Sequence, residues 1–173
     1  MNTVLLLVLG VIALCIALII IILRFAYKAK DGGVRVTMLV AVLYPIGELL
    51  QRTGLGPTWL RWHLSDFGVA SCVCFMAIVA YQKLTERLTS KAIWNCQAVL
   101  VAATTLAVSH EAFQYEDGAG DIIDTAAYLI GSFISFVALW HTDKKIHAEE
   151  YRQPVAPPLK KRGARHTAPK RKR

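Results

Sequence analysis

Two stretches of the chain spell the same polar order. Glu48-Leu-Leu-Gln51 is followed by a turn and then Asp66, and Glu111-Ala-Phe-Gln114 by a turn and then Asp124. Carboxylates and amides at such positions bind cations or pass protons. An i, i+3 spacing sets Glu and Gln of each stretch on one helical face, and Asp121 with Asp124 likewise. The candidate binding set is therefore Glu48, Gln51, Asp66, His110, Glu111, Gln114, Asp121 and Asp124. Asp66 and Asp124 are also expected to open helices, where an Asp caps free N–H groups and suits the dipole. His110-Glu-Ala-Phe-Gln114 differs by one residue from the His-Glu-x-x-His zinc motif, but Gln114 stands where the second histidine ligand belongs. The turn from Glu116 to Asp121 lacks the twelve-residue calcium pattern. No metal and no cofactor is expected and no catalytic residue is identified, because no Ser–His or Cys–His arrangement, phosphate loop or dinucleotide fingerprint accompanies the acids; a non-enzymatic protein is the first expectation.

The elements that carry these residues are apolar. Of 173 residues, 55 % are hydrophobic and 18 % charged, and the mean hydropathy of +0.42 excludes an ordinary soluble enzyme. Thr3 to Leu23 runs 21 residues without a charge, enough to cross a hydrocarbon core about 30 Å thick. No basic residue precedes it, so it reads as a retained span rather than a secretory signal. Further spans are expected over Val36–Leu50, Phe67–Gln82, Ala92–Phe113 and Ile122–Trp140. The second and third are short and must borrow flanking residues, tilt little or lie partly inside the bundle. Pro45 inside the second implies a packed helix, since neighbours must satisfy the carbonyl that proline frees.

The distribution of charge orients this all-α, five-span bundle. Eighteen of the 20 Lys and Arg residues fall between spans one and two, between three and four, or after five; only Arg52 and Arg61 fall in the alternate loops. The positive-inside rule then sets the N-terminus outside and the C-terminus in the cytoplasm. Seven of the twelve carboxylates lie toward the outer side. Trp59 and Trp62 at one level, and Trp94 and Trp140 at the other, fit interfacial belts. The four cysteines lie in or at the ends of spans, and Cys72-x-Cys74 points its thiols to nearly opposite faces, so packing is their expected role.

Three regions follow: residues 1–35, an N-terminal span and basic loop; 36–141, a four-helix core of two hairpins; and 142–173, a disordered basic cytoplasmic tail. Tail clusters Lys160-Lys161-Arg162 and Lys170-Arg-Lys-Arg173 suit anionic lipid headgroups. Nucleic acid is not an expected partner, because no aromatic residue follows Tyr151 to stack on bases. In a eukaryotic source the last four residues would also read as an endoplasmic-reticulum retrieval signal; otherwise a bacterial cell membrane is the expected location.

The stretch Glu111-Ala-Phe-Gln114, then Asp124-Thr-Ala-Ala-Tyr-Leu-Ile-Gly131, resembles the signature of VanZ-like integral membrane proteins, with Glu48, Gln51 and Asp66 as an echo. Two features depart from the family pattern. The loop between the motifs has no basic residue, and Tyr128 stands where the family has Asn. The resemblance implies a polytopic envelope protein of a family linked to glycopeptide-antibiotic resistance. An outer acidic cluster that recognises a cell-surface lipid or peptide is the first expectation. A small transporter or proton-coupled carrier, an enzyme on a lipid-linked substrate, and a scaffold or membrane-permeabilising protein are the alternatives.

Overall fold

The computed structural model describes residues 3–85, 88–116 and 121–152. They form five helices: α1 Thr3–Lys28, α2 Gly32–Thr53, α3 Thr58–Thr85, α4 Ser90–Glu116 and α5 Ile122–Arg152. Each contains a stretch long and apolar enough to span a bilayer. The protein is an all-α, polytopic membrane helix bundle.

Local chemistry explains why the two short hydrophobic segments become full-length helices. Asp31 caps α2, its carboxylate accepting from the backbone N–H of Gly33 at 2.8 Å and of Val34 at 3.3 Å, so helix begins before the apolar run. At the other end Gly54 adopts φ 70°, and its N–H donates to Leu50 O at 2.9 Å, closing the last turn. α3 begins directly after Pro57, whose carbonyl accepts from Arg61 N, and nothing between Thr58 and Phe67 breaks the helix. Asp66 consequently lies more than two turns inside α3 and caps nothing, contrary to the expectation from sequence. At α5 the capping role falls to Asp121, whose Oδ1 accepts from Ile123 N at 2.8 Å, while Asp124 occupies the first turn.

The boundary expected at residue 142 also moves. α5 continues to Arg152 because its later turns are anchored. Thr142 donates to Asp31 at the α1–α2 turn, Ser90 donates to Asp143 at 2.5 Å, and Ile146 packs against the core. The basic clusters beyond it lie outside the described residues.

α2 pairs with α3 and α4 with α5, while α3 and α5 also pack on each other and each touches both α2 and α4. The α3–α5 pair therefore stands between α2 and α4. α1 packs mainly on α2, contributing Ile22 and Ala26 to the core and setting Phe25 edge-on to Phe75 at 5.9 Å. Leu7, Leu14 and Ile20 stay exposed, as a lipid-facing helix requires. Backbones approach closely where side chains are absent: a Cβ on Gly131 would lie 1.9 Å from Phe67 O, and one on Gly47 2.3 Å from Ser65 N. Ala127 is buried beside Gly131 along α5, whereas Ala126 faces outward. Pro45 is buried, which makes α2 a packed helix. The hydroxyls within the bundle satisfy one another, Ser71 with Ser135 and Thr104 with Ser132, both at 2.7 Å. All four cysteines are free, three of them buried. Trp59 and Trp62 near the start of α3, and Trp94 near the start of antiparallel α4, are exposed at opposite ends of the bundle.

Candidate functional site

Polar side chains from three helices converge where α4 ends and α3 and α5 begin. α3 supplies His63 and Asp66, which share a face at i, i+3 spacing. α5 supplies Asp124 and Tyr128, at i, i+4 spacing, and Asp121 just before its first turn. α4 supplies Glu111, at 8 % exposure the only buried carboxylate, Lys or Arg among the described residues. The seat of Gly131 on the Phe67 backbone brings α5 close enough to α3 for these groups to meet.

The shortest contact is His63 Nδ1 to Asp124 Oδ1, 2.5 Å, with both side chains largely shielded. When Nδ1 carries the proton it donates to the carboxylate, and Asp124 fixes the imidazole orientation. Asp66 faces Asp124 and Tyr128, with Glu111 in electrostatic reach of both Asp66 and Tyr128. The ligand atoms of His63, Asp121 and Asp124 all lie within 4.8 Å of one another, so these three residues could hold a divalent cation through one nitrogen and two carboxylate oxygens. Two carboxylates, Asp121 and Asp124, thus flank His63, and two more, Asp66 and Glu111, adjoin them. Among the described residues, no Lys or Arg forms an ion pair with any of them. Charge of one sign in partly dehydrated surroundings must be offset by protons or by a bound cation.

The remaining residues singled out from sequence fall elsewhere. His110 and Gln114 lie on the rim at the end of α4, with His110 Nε2 and Gln114 Nε2 3.4 Å apart, and His110 Nδ1 is 3.9 Å from Glu111. Glu48 pairs with Arg52 at 3.8 Å, one turn along α2. Gln51 donates to Ser65 Oγ at 3.4 Å and lines a separate cleft of about 270 Å³ with Arg52, Arg61 and Trp62. Gln51 and Glu111 line different cavities, and none of the principal cavities among the described residues is lined by both Glu-x-x-Gln stretches. Of the eight residues, Asp66, Glu111, Asp121 and Asp124 come together.

His63 and Tyr128 complete the cluster and were not selected from sequence. Their signals were local: His63 stands three residues before Asp66, and Tyr128 four after Asp124, each on the face of an acid already under consideration. No family model, curated protein or solved structure matches the chain. What the fold establishes is a five-helix membrane bundle with an acidic centre near one end.

Proposed function

We propose that this chain is a VanZ-like integral membrane protein of the cell envelope, whose acidic centre receives a cationic group of a cell-surface lipid or peptide. The observation that carries this reading is the convergence of Asp66, Glu111, Asp121 and Asp124 in one centre, with histidines but no Lys or Arg paired to them among the described residues. Both acids of the resemblance, Glu111 and Asp124, belong to that centre, and Tyr128, where the family has Asn, adjoins it. An ammonium or guanidinium entering it would gain charge-assisted hydrogen bonds and relieve repulsion among the carboxylates.

Recognition at the cell surface requires the centre to face outward, with the N-terminus outside and the C-terminus in the cytoplasm. The division of Lys and Arg supports that orientation. Reporter fusions after Lys30, Lys91 and Lys145 are expected in the cytoplasm, and fusions at Gly56 and Gly118 outside. A cytoplasmic Gly118 would overturn the reading. The basic tail would then meet anionic lipid headgroups on the inner leaflet, and deletion from Pro154 onward should leave insertion intact.

The binding test uses the detergent-purified full chain and spermidine as a soluble cation, followed by calorimetry. Wild type is expected to bind saturably, and Asp124→Asn or Glu111→Gln to weaken binding about tenfold with the fold retained. Absence of saturable binding would refute the reading. The geometry of His63, Asp121 and Asp124 favours a second reading, a divalent cation that assists chemistry on a lipid-linked substrate. Saturable Mn²⁺ binding abolished by His63→Gln, with spermidine excluded, would select it.

A further inference from the structure

The acidic centre opens sideways between α4 and α5, into a cleft of about 320 Å³ lined by Glu111, Ala112, Tyr115, Asp121, Ile122 and Thr125. A second and larger groove, about 610 Å³, is cut between the same two helices deeper in the bundle. Its walls are Val101 and Thr105 on α4, and Leu129, Ile130, Phe133 and Phe136 on α5. The two cavities lie on one seam. On α4, residues 101, 105, 112 and 115 recur at helical spacing on a single face; on α5, residues 122, 125, 129, 133 and 136 do the same. Between the cavities the seam carries Ala126 on α5 and Val108 on α4, neither of which lines either cavity.

Dimensions and polarity match a lipid. From Thr125 to Phe136 the seam runs eleven residues, about 16 Å at the helical rise. That is close to one leaflet, half of a hydrocarbon core about 30 Å thick. The upper end is acidic and sits where the helices end; the lower end is apolar, and its two inner hydroxyls, Thr104 and Ser132, are hydrogen-bonded to each other. Val101, Leu129, Ile130 and Phe133 are about half exposed or more, so the groove is open on the side that faces the bilayer.

We infer that the α4–α5 seam is a lipid site: the headgroup amine of a membrane lipid lies against Glu111 and Asp121, and one acyl chain lies in the groove below. This rests on the cation-binding reading of the acidic centre and narrows it to an amine-bearing lipid. Charge complementarity selects the headgroup, and the alignment of the groove below the acidic cleft on the same two helices selects an amphiphile over a soluble amine. Soluble amines gain only the upper half of the site.

The test is native mass spectrometry of the detergent-purified full chain with phosphatidylethanolamine and phosphatidylglycerol carrying identical acyl chains. Wild type is expected to retain the ethanolamine lipid about tenfold better. Glu111→Gln combined with Asp121→Asn should erase that preference. Ala126→Trp, and independently Thr105→Trp, fill the seam at exposed positions. Either should lower retention of the ethanolamine lipid about tenfold while leaving spermidine binding unchanged. Equal retention of both lipids with spermidine binding intact would make the groove a place for bulk lipid only and overturn the inference while sparing the cation-binding reading. Loss of spermidine binding in the wild type would overturn the reading itself. If Ala126→Trp instead converted a dimer to a monomer without changing lipid retention, the groove would belong to a second copy of the chain, and the lipid assignment would fall.

Discussion

The two hairpins carry the same polar order and put it to different use. In α2–α3, Glu48 has Arg52 one turn further along the helix, pairs with it at 3.8 Å, and stands in electrostatic reach of Cys15 on α1. In α4–α5, the position one turn after Glu111 is Tyr115, and Glu111 is buried toward Asp66 and Tyr128. Glu48 meets a permanently charged guanidinium of its own helix; Glu111 meets on its own helix only a histidine, His110, and otherwise acids across the bundle. Matching sequence order therefore does not produce matching chemistry, because a single cation at i+4 decides whether a helix-end glutamate is occupied or available. The shared centre is assembled across the hairpins from the last residue of the first repeat, Asp66, and the two acids of the second, Glu111 and Asp124.

The largest effect is expected where the hairpins are held together. Gly131→Ala would push α5 off the Phe67 backbone of α3, an overpacking that should destabilise the bundle by about 3 kcal/mol or more. Thermal unfolding in detergent reads this, and unchanged melting would break the claim that close α3–α5 approach builds the centre. Next comes Tyr115→Arg, which gives the second hairpin the base that the first already has. Tyr115 is exposed, so melting should stay near wild type while spermidine affinity falls about tenfold. Undiminished affinity would show that the missing base is not what distinguishes the hairpins. Smallest is Glu48→Gln, which removes a partly solvated ion pair and should change stability by no more than about 0.5 kcal/mol, with spermidine binding intact.

The five spans were legible from hydropathy because a bilayer demands long uninterrupted apolar runs, and composition alone marks them. Helix ends were less so. Asp31 and Pro57 start α2 and α3 upstream of the apolar runs, and that shift moved Asp66 from a supposed cap to the interior of a helix. The acids Glu111, Asp121 and Asp124 were visible as polar residues around one turn. His63 had only its i, i+3 spacing to Asp66 to mark it, and that gives it no chemistry until α5 sets Asp124 against it. That Glu48 would stand apart from Glu111 depends on α3 and α5 packing between α2 and α4, an arrangement that hairpin order leaves open. The Glu48–Arg52 spacing was readable, and it already separated one repeat from the other.

The melting temperature of Glu111→Gln, measured in low salt at mildly alkaline pH without added cations, tests most directly whether the carboxylates of the acidic centre outnumber the cations that face them. Removing one charge from the cluster while keeping its shape is expected to raise melting above wild type, as relief of like-charge repulsion requires. A fall in melting would mean that the Glu111 carboxylate is already matched by a partner within the bundle, and the centre would then be structural rather than open to a cation.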